Sequence, residues 1–457
     1  MTAPRREFLK QSLTHVGSFS LLSTFSQFHL AAERKEARPA NELVEVNDAA
    51  TGLPLLKLPE GFQYRTFGWT GEVMTDKVQT PALHDGMAVV AEDDSTITLI
   101  RNHEINNSGK AFGKLELAYD PQGPAGCTSL VVDRKTLELR QSNVAISGTS
   151  RNCAGGPTPW GTWLTCEETV VSPDDLFVLP LRNTLQRQHG WVFEVSPEQN
   201  RPAEPIRDMG CFWHEAVAID DHTGIVYLTE DRKTSGLYRY RPQTQRRLSS
   251  GGPLEMLKVR GQKEFDGNQP GGTKFDVEWV PIDDPVRPHS PGTRDTLGVY
   301  QQGRKLGGAM FARVEGCFFH DRTVYFSCTT GGAKKLGQIW SYQPDAETME
   351  LVYESTDPQI LNMPDNIAVH PGGALAICED SNAPVQRMFF LMPNGQLRLF
   401  AENHVILNEK THGFRGNYCK QEWAGATFSR DGQILFVNIQ TPGLTIAIRG
   451  PWQDWFA

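Results

Sequence analysis

GTWLTCEE (residues 161–168), GIVYLTED (224–231) and GALAICED (373–380) share one frame: a glycine, four mostly apolar residues, Cys or Thr, then Glu followed by a second acid. TVYFSCTT (323–330) fits the frame without its acids, GQILFVNI (432–439) fits with Asn438 near its end, and ITLIRNHE (97–104) closes on Glu104. Six matches at one offset mark an internal repeat. A second short strand pattern stands just upstream of each. Those beginning at Glu215, Glu315 and Asp365 start eight or nine residues before the frame. Asp85 stands somewhat farther ahead, Glu422 lies close to the corresponding place, and Cys153 fills the slot where other units carry an acid. Asp85, Cys153, Glu215, Glu315, Asp365 and Glu422 therefore mark six units, spaced 68, 62, 100, 50 and 57 residues apart.

Turns such as DDHTG (220–224) and HPGG (370–373) make each pair of strands a hairpin. Outer strands follow in GWVFEV (190–195), GLYRY (236–240), QIWSYQ (338–343) and RMFFLM (387–392). Four strands per unit predict an all-β fold, a six-bladed β-propeller over residues 41–457, with a Gly/Pro-rich insertion at about 241–308. In such a fold one position of every unit faces the central channel, so the marker residues meet at its mouth as a metal cluster. A sandwich or barrel is the competing all-β reading.

The 42 glycines and 29 prolines of this 457-residue chain favour strands and turns over long helices. A net charge of −9 argues against a nucleic-acid surface. No run of 18 or more apolar residues occurs, so no stable membrane insertion is expected. Residues 1–40 read as an address: Arg5-Arg6-Glu7-Phe8-Leu9-Lys10, an apolar stretch from Val16 to Leu30, then Ala31 and Ala32. This is a twin-arginine signal, with a basic amphipathic helix as the alternative. It makes the Tat export machinery a partner and the location periplasmic or secreted. Eight cysteines in an exported chain suggest disulfides. Cys166, Cys328 and Cys378, however, recur near the ends of similar strands, where packed free thiols fit better, with Cys153 the exception.

Repeated acids can be turn chemistry, but acids at both ends of an inner hairpin in several units need another cause. Crowded carboxylates repel, and the crowding persists around cations or with raised pKa values. Oxygen ligands suit calcium, magnesium or manganese, and one thiolate shifts the preference towards iron or zinc. Cys153 as a quiet buried residue is the plainer alternative. Arg313, two residues before Glu315, can grip phosphate with its guanidinium fork or can be an ordinary surface arginine. His103 and His214 can ligate metal or pack behind the adjacent acids, which are the stronger candidates.

At this point the residues resemble the PhoX-type alkaline phosphatases. The matching motifs are the twin-arginine start, HDGM (84–87), NHE (102–104), NCAGG (152–156), TPWGTW (158–163), CEE (166–168), His214-Glu215, Glu422 with Gly425, and FVNIQ (436–440) before Pro442-Gly443. They cover nearly the whole chain after the signal. The resemblance implies a six-bladed propeller with iron and calcium at the channel mouth. It makes Cys153 an iron ligand and places Glu215 and Glu315 among the iron or calcium carboxylates. Glu104, Glu168 and Glu422 complete the calcium sites, with Asp85 and Asp365 as further metal ligands. Arg313 corresponds to an arginine that contacts substrate phosphate, assisted by Asn152. Val314 departs from the usual Arg-Pro-Glu pattern, and Met363-Pro364 precede Asp365, so the ligand set at Asp365 and Glu230/Asp231 stays open.

The activity implied is hydrolysis of small phosphate monoesters by a monomeric enzyme. Cations and Arg313 hold the phosphoryl oxygens while a metal-bound oxo or hydroxide attacks in line. Two other readings remain: a calcium-dependent lactonase or esterase, needing one calcium and no thiolate, and a non-catalytic calcium-binding interaction module.

Overall fold

A computed structural model of the chain describes residues 42–106, 109–175, 177–178 and 181–456. The twin-arginine stretch lies outside them. The described chain is all-β apart from two short α-helices, Gly298–Lys305 and Trp452–Phe456, and isolated 3-10 turns. No helix among the described residues is long and apolar enough to cross a membrane.

The first repeat is a four-stranded sheet of His84–Glu92, Thr96–His103, Ala125–Asp133 and Leu139–Thr149. The second has three strands, Asn152–Pro157, Trp163–Glu167 and Val192–Val195. The fifth, Pro364–Val369 to Leu397–Asn403, is extended outwards by Leu56–Leu58 and Val44–Val46. The sixth combines Trp423–Phe428, Ile434–Ile439 and Leu444–Arg449 with the early strand Gln63–Phe67, so both ends of the chain share one sheet. The first strand of each repeat packs beside the first strands of its two neighbours, and Trp423–Phe428 returns to His84–Glu92. The arrangement is propeller-like, as the repeat frame predicts.

The insertion turns out to carry structure. Leu254–Val259 is the fourth strand of the third repeat, and Lys274–Pro281 pairs with it through Val277–Pro281. The other end of Lys274–Pro281 pairs with Thr348–Glu354 of the fourth repeat, merging the two repeats into nine strands.

Inner hairpins are buried on both faces, which is why they read as continuous apolar runs. Ile434–Ile439, for example, is buried at every residue. The sheets are glued by apolar clusters between them. Where the chain ends meet, Phe62 packs edge-on to Trp452 at 4.8 Å and to Phe400 at 5.1 Å. Each such ring removed from water contributes roughly 1.5–3 kcal/mol.

One irregularity recurs in all six repeats. The pairing of the first two strands slips between His84 and Met87, Asn152 and Gly155, His214 and Val217, Val314 and Cys317, Pro364 and Ile367, and Ala424 and Thr427. A β-bulge at the same place in five repeats, and one residue later in the sixth, re-aims the side chains next to it. It creates the site.

Candidate metal centre

Strand register sorts the repeats into three rows. His84, Asn152, His214, Val314, Pro364 and Trp423 are the equivalent first paired residues. The unpaired bulge residue after each is Asp85, Cys153, Glu215, Glu315 and Asp365 in the first five repeats, whereas in the sixth Ala424 still pairs with Asn438 and the slip begins one residue later. The residue before each is Leu83, Arg151, Trp213, Arg313, Met363 and Glu422. In the first five repeats the carbonyl of that preceding residue accepts the backbone N–H of Glu104, Glu168, Asp231, Thr329 and Asp380, at 2.9–3.2 Å. In the sixth, Glu422 accepts from Gln440 at 3.2 Å. Leu83, Arg151, Arg313 and Met363 all hold positive φ, between 51° and 55°. For non-glycine residues this costs on the order of 1–3 kcal/mol each, and it belongs with the shared carbonyl contact.

The register corrects two alignments. Glu422 aligns with Arg151 and Arg313 rather than with Asp85 and Cys153, because Trp423 pairs with Ile439 as the first paired residue of the sixth repeat and Ala424 follows it. Cys166 and Cys378 are equivalent, but Cys328 sits one place further along, opposite Val314.

Alternation along the second strand gives each acid pair two fates. Glu167 points into the sheet, where it accepts from Ser150 N, Gly190 N, Trp191 N and His189 Nδ1. Glu230 is held likewise by Gly236 N and Tyr238 Oη, and Glu379 by Asn362 N and Arg387. Glu168, Asp231 and Asp380 are the following residues, and these three join the channel-side acids.

Three groups have ligand atoms within 4.8 Å of one another: Cys153, Glu168 and Glu215; Asp85, Glu104 and Glu422; and Glu215, Glu315 and Asp365. All eight metal-ligand candidates from the sequence thus fall into three groups, two of them sharing Glu215. Burial, reinforced by neighbouring carboxylates, pushes Asp85, Glu215, Glu315 and Glu422 well above the ordinary carboxyl range. Burial also raises Glu168 against the opposing pull of Arg151, raises Asp365 to about 8, and lifts the Cys153 thiol. Acids packed this way gain by taking a cation in place of protons. The donors fit metals: one thiol with carboxylates in one group, oxygen alone in the others. All eight cysteines are free and buried.

The backbone behind the ligands is tight. Asn102 Nδ2 donates to the carbonyls of Cys153 (2.9 Å) and Ala154 (2.7 Å), and Asn438 Nδ2 to that of Asp85 (2.6 Å). Thr229 Oγ1 donates to the Glu315 carbonyl at 2.6 Å, and Ser327 Oγ to that of Asp365 at 2.8 Å. In each case a second strand steadies the bulge of the next repeat. Gly425, at φ +65°, leaves no room for a Cβ, which would fall 2.5 Å from the Asp85 carbonyl oxygen.

Arg313 grips Asp231 with Nε and Nη2, both at 2.9 Å, and bonds Glu315 through Nη2. Its Nη1 donates to no group among the described residues, and its side chain is 28% exposed. Arg151, which the sequence reading passed over, is its counterpart and links two of the groups, to Glu104 and to Glu168, both at 2.9 Å. Its spacing two residues before Cys153, like that of Arg313 before Glu315, was the available signal. Gln440 was also missed. Its Nε2 faces Glu104 Oε2 (2.8 Å), Asp85 Oδ2 (3.3 Å) and Glu422 Oε1.

Asn152 is not brought to the mouth. It is fully buried, with Oδ1 accepting from Thr149 and Nδ2 donating to Thr165 at 2.7 Å. His103 spans Ala82 O and Thr128 Oγ1, and His214 contacts Gly210 O, so both support the wall behind the acids.

The family model for alkaline phosphatase PhoX matches residues 41–143 and 122–443. The chain belongs to the alkaline phosphatase PhoX family. Among solved structures it is similar to Pseudomonas fluorescens PhoX in complex with vanadate, a transition state analogue. That protein is 18% identical over 91% of this chain and 97% of its own, with a TM-score of 0.66, a likeness of fold. A gluconolactonase from Xanthomonas campestris is 13% identical over 91% of this chain and 99% of its own, with a TM-score of 0.40. No curated protein matches. The PhoX match spans the first five repeats, the inner hairpin of the sixth and every residue of the three groups.

Proposed function

We propose that this alkaline phosphatase-type phosphomonoesterase works through iron and calcium held at the mouth of a six-bladed propeller. The closed circle of six first strands supports the blade count. The observation that carries the reading is the three groups, two sharing Glu215 and the third bridged to them by Arg151, beside Arg313 with an unused donor.

Cys153, Glu168 and Glu215 would hold iron, the one group with a soft ligand. Asp85, Glu104 and Glu422 would hold calcium through oxygen alone, with Gln440 able to add its carbonyl if its amide turns over. Glu215, Glu315 and Asp365 would hold a further cation next to Arg313. Bound cations supply the positive charge that a phosphoryl group needs as electron density moves to the leaving oxygen.

The chain's own residues do the rest. Asp231 fixes the Arg313 fork so that Nη1 can donate to a non-bridging phosphate oxygen at little entropic cost. Arg151 keeps Glu104 and Glu168 in register across two groups. The bulges and the asparagine, threonine and serine bonds behind them fix the ligand backbone, so the charges need not reorganise during reaction. Asn152 acts by holding the strand that presents Cys153. No serine nucleophile is required. Residues 1–40 would deliver the protein through the Tat machinery to the periplasm or beyond, where it would work as a monomer on small phosphate esters.

The test is turnover of an aryl phosphate at alkaline pH by protein exported with its metals. Cys153→Ala and calcium chelation should each abolish turnover, and vanadate should inhibit the parent. Turnover that survives both treatments refutes the metal-centre mechanism.

A further inference from the structure

Trp213 occupies in the third repeat the slot that Arg151 and Arg313 fill on either side of it. Its ring is half-buried at the mouth and sits under two guanidiniums: Arg151 Cζ lies 5.4 Å and Arg232 Cζ 5.2 Å from the ring centroid. Three arginines therefore gather here, but their charges are in different states. Arg151 is neutralised by Glu104 and Glu168, and Arg313 by Asp231 and Glu315. Arg232 makes no ion pair among the described residues. Its guanidinium is held instead by Thr296, which the insertion places against it, while its backbone carbonyl accepts from Arg313 N at 2.8 Å. The nearest acid in sequence, Asp231, is engaged by Arg313. Glu230, which feels the Arg232 charge, is buried with Tyr238 and Gly236.

We propose that Arg232, seated on Trp213 and steadied by Thr296, binds a second anionic group on the substrate's leaving alcohol, so that the preferred esters carry another phosphate or a carboxylate. A fixed, unneutralised guanidinium that shares the Trp213 ring with Arg151, on the residue whose carbonyl holds Arg313 N, gains most from such a group, because charge-assisted bonds to Arg are about twice as strong as neutral ones. An aromatic face under the cation limits its motion and leaves its edge donors for the ligand. This inference rests on the phosphatase reading.

A matched pair of esters tests it: 2-hydroxyethyl phosphate and ethanediol bisphosphate, assayed with the metal-loaded holoenzyme. The parent should favour the bisphosphate in kcat/KM, and Arg232→Ala should erode that ratio roughly tenfold, the scale of one charge-assisted hydrogen bond. Arg232→Lys should keep part of the preference, and raising the ionic strength should weaken the parent's preference. Thermal melting verifies that each variant is folded, and the lysine variant serves if the alanine variant is not. Equal losses on both esters, or an unchanged ratio, overturn the inference while leaving the phosphatase reading intact. No turnover of either ester by the loaded parent overturns both.

Discussion

Exchanging one carboxylate of the adjacent pair Glu167-Glu168 for an amide should separate folding from metal binding. Glu167 is fully buried and accepts four hydrogen bonds: from Ser150 N (2.9 Å) and His189 Nδ1 (2.6 Å) on one oxygen, and from Gly190 N (2.8 Å) and Trp191 N (3.1 Å) on the other. In Glu167→Gln the amide nitrogen must face one of these two donor pairs: facing Gly190 N and Trp191 N it strands both, and facing Ser150 N it strands that donor and leaves His189 without its charged partner, so two charge-assisted bonds are lost either way. At roughly 1.5–3 kcal/mol for each bond to a charged acceptor, the loss is about 4 kcal/mol. An unfolding entropy of about 2.1 cal/mol/K per residue, over residues 42–456, turns this into a Tm decrease of about 5 °C. Glu168→Gln keeps the shape and removes a charge that burial already disfavours, and Arg151 loses one partner but keeps Glu104 at 2.9 Å, so the fold should change by only about 1 kcal/mol. The metal at Cys153 should go with it. Tm measured on chelated protein, where bound metal adds nothing, and elemental analysis of the loaded protein read the two effects apart. If Glu168→Gln lowers the chelated Tm as far as Glu167→Gln does, or if Glu167→Gln strips the metal at an unchanged Tm, the division of the pair is wrong.

Other outcomes follow from the same geometry. Burial alone would lower the His189 pKa, but Glu167 and Asp120 on either side override it and hold it at about 9. A folded value above the unfolded one gives stability that is complete below about pH 6.5 and lost as pH rises through about 9, on the order of 3 kcal/mol. Denaturant unfolding of the metal-loaded protein from pH 6 to pH 10, where the raised acids hold cations in place of protons, should show that decline in the parent, and His189→Gln should remove the His189 share of it. Gly425→Ala forces a Cβ onto the Asp85 carbonyl at positive φ. It should cost about 3 kcal/mol and weaken calcium binding, read by melting and by calorimetric titration. Gln440→Leu should weaken calcium binding at Asp85, Glu104 and Glu422 by roughly tenfold, while Gln440→Glu should retain it, because only the glutamate supplies a hard oxygen. Equal affinities in the two variants would remove Gln440 from the site.

The repeat was legible because inner propeller strands are apolar on both faces and each hairpin ends on a turn, so the frame around Gly161, Gly224 and Gly373 stands out. The marker residues were legible too, and all eight ligand candidates converge. What escaped depended on register and bulge. Ser327-Cys328 and Thr165-Cys166 look interchangeable in sequence, and only strand pairing shows the one-residue shift. The slot of Glu422 was blurred for the same reason. Glu167 and Glu168 are the same residue type, and the alternation of the strand decides which one faces the channel. The strand Lys274–Pro281 was hidden because its partner in the fourth repeat lies more than 70 residues away. Asn152 carries a family-like signal, yet its amide is consumed by Thr149 and Thr165.

Cys153 and the acids around it are proposed to bind metal, and the alternative is that they are packed, protonated side chains. Elemental analysis of the protein purified with its metals from the cells that make it, alongside Cys153→Ala prepared identically, decides between the two. We expect iron and calcium in the parent, and calcium without iron in a folded variant. A parent free of both metals with a Cys153 thiol that reacts on unfolding, or a variant with unchanged iron, would contradict it.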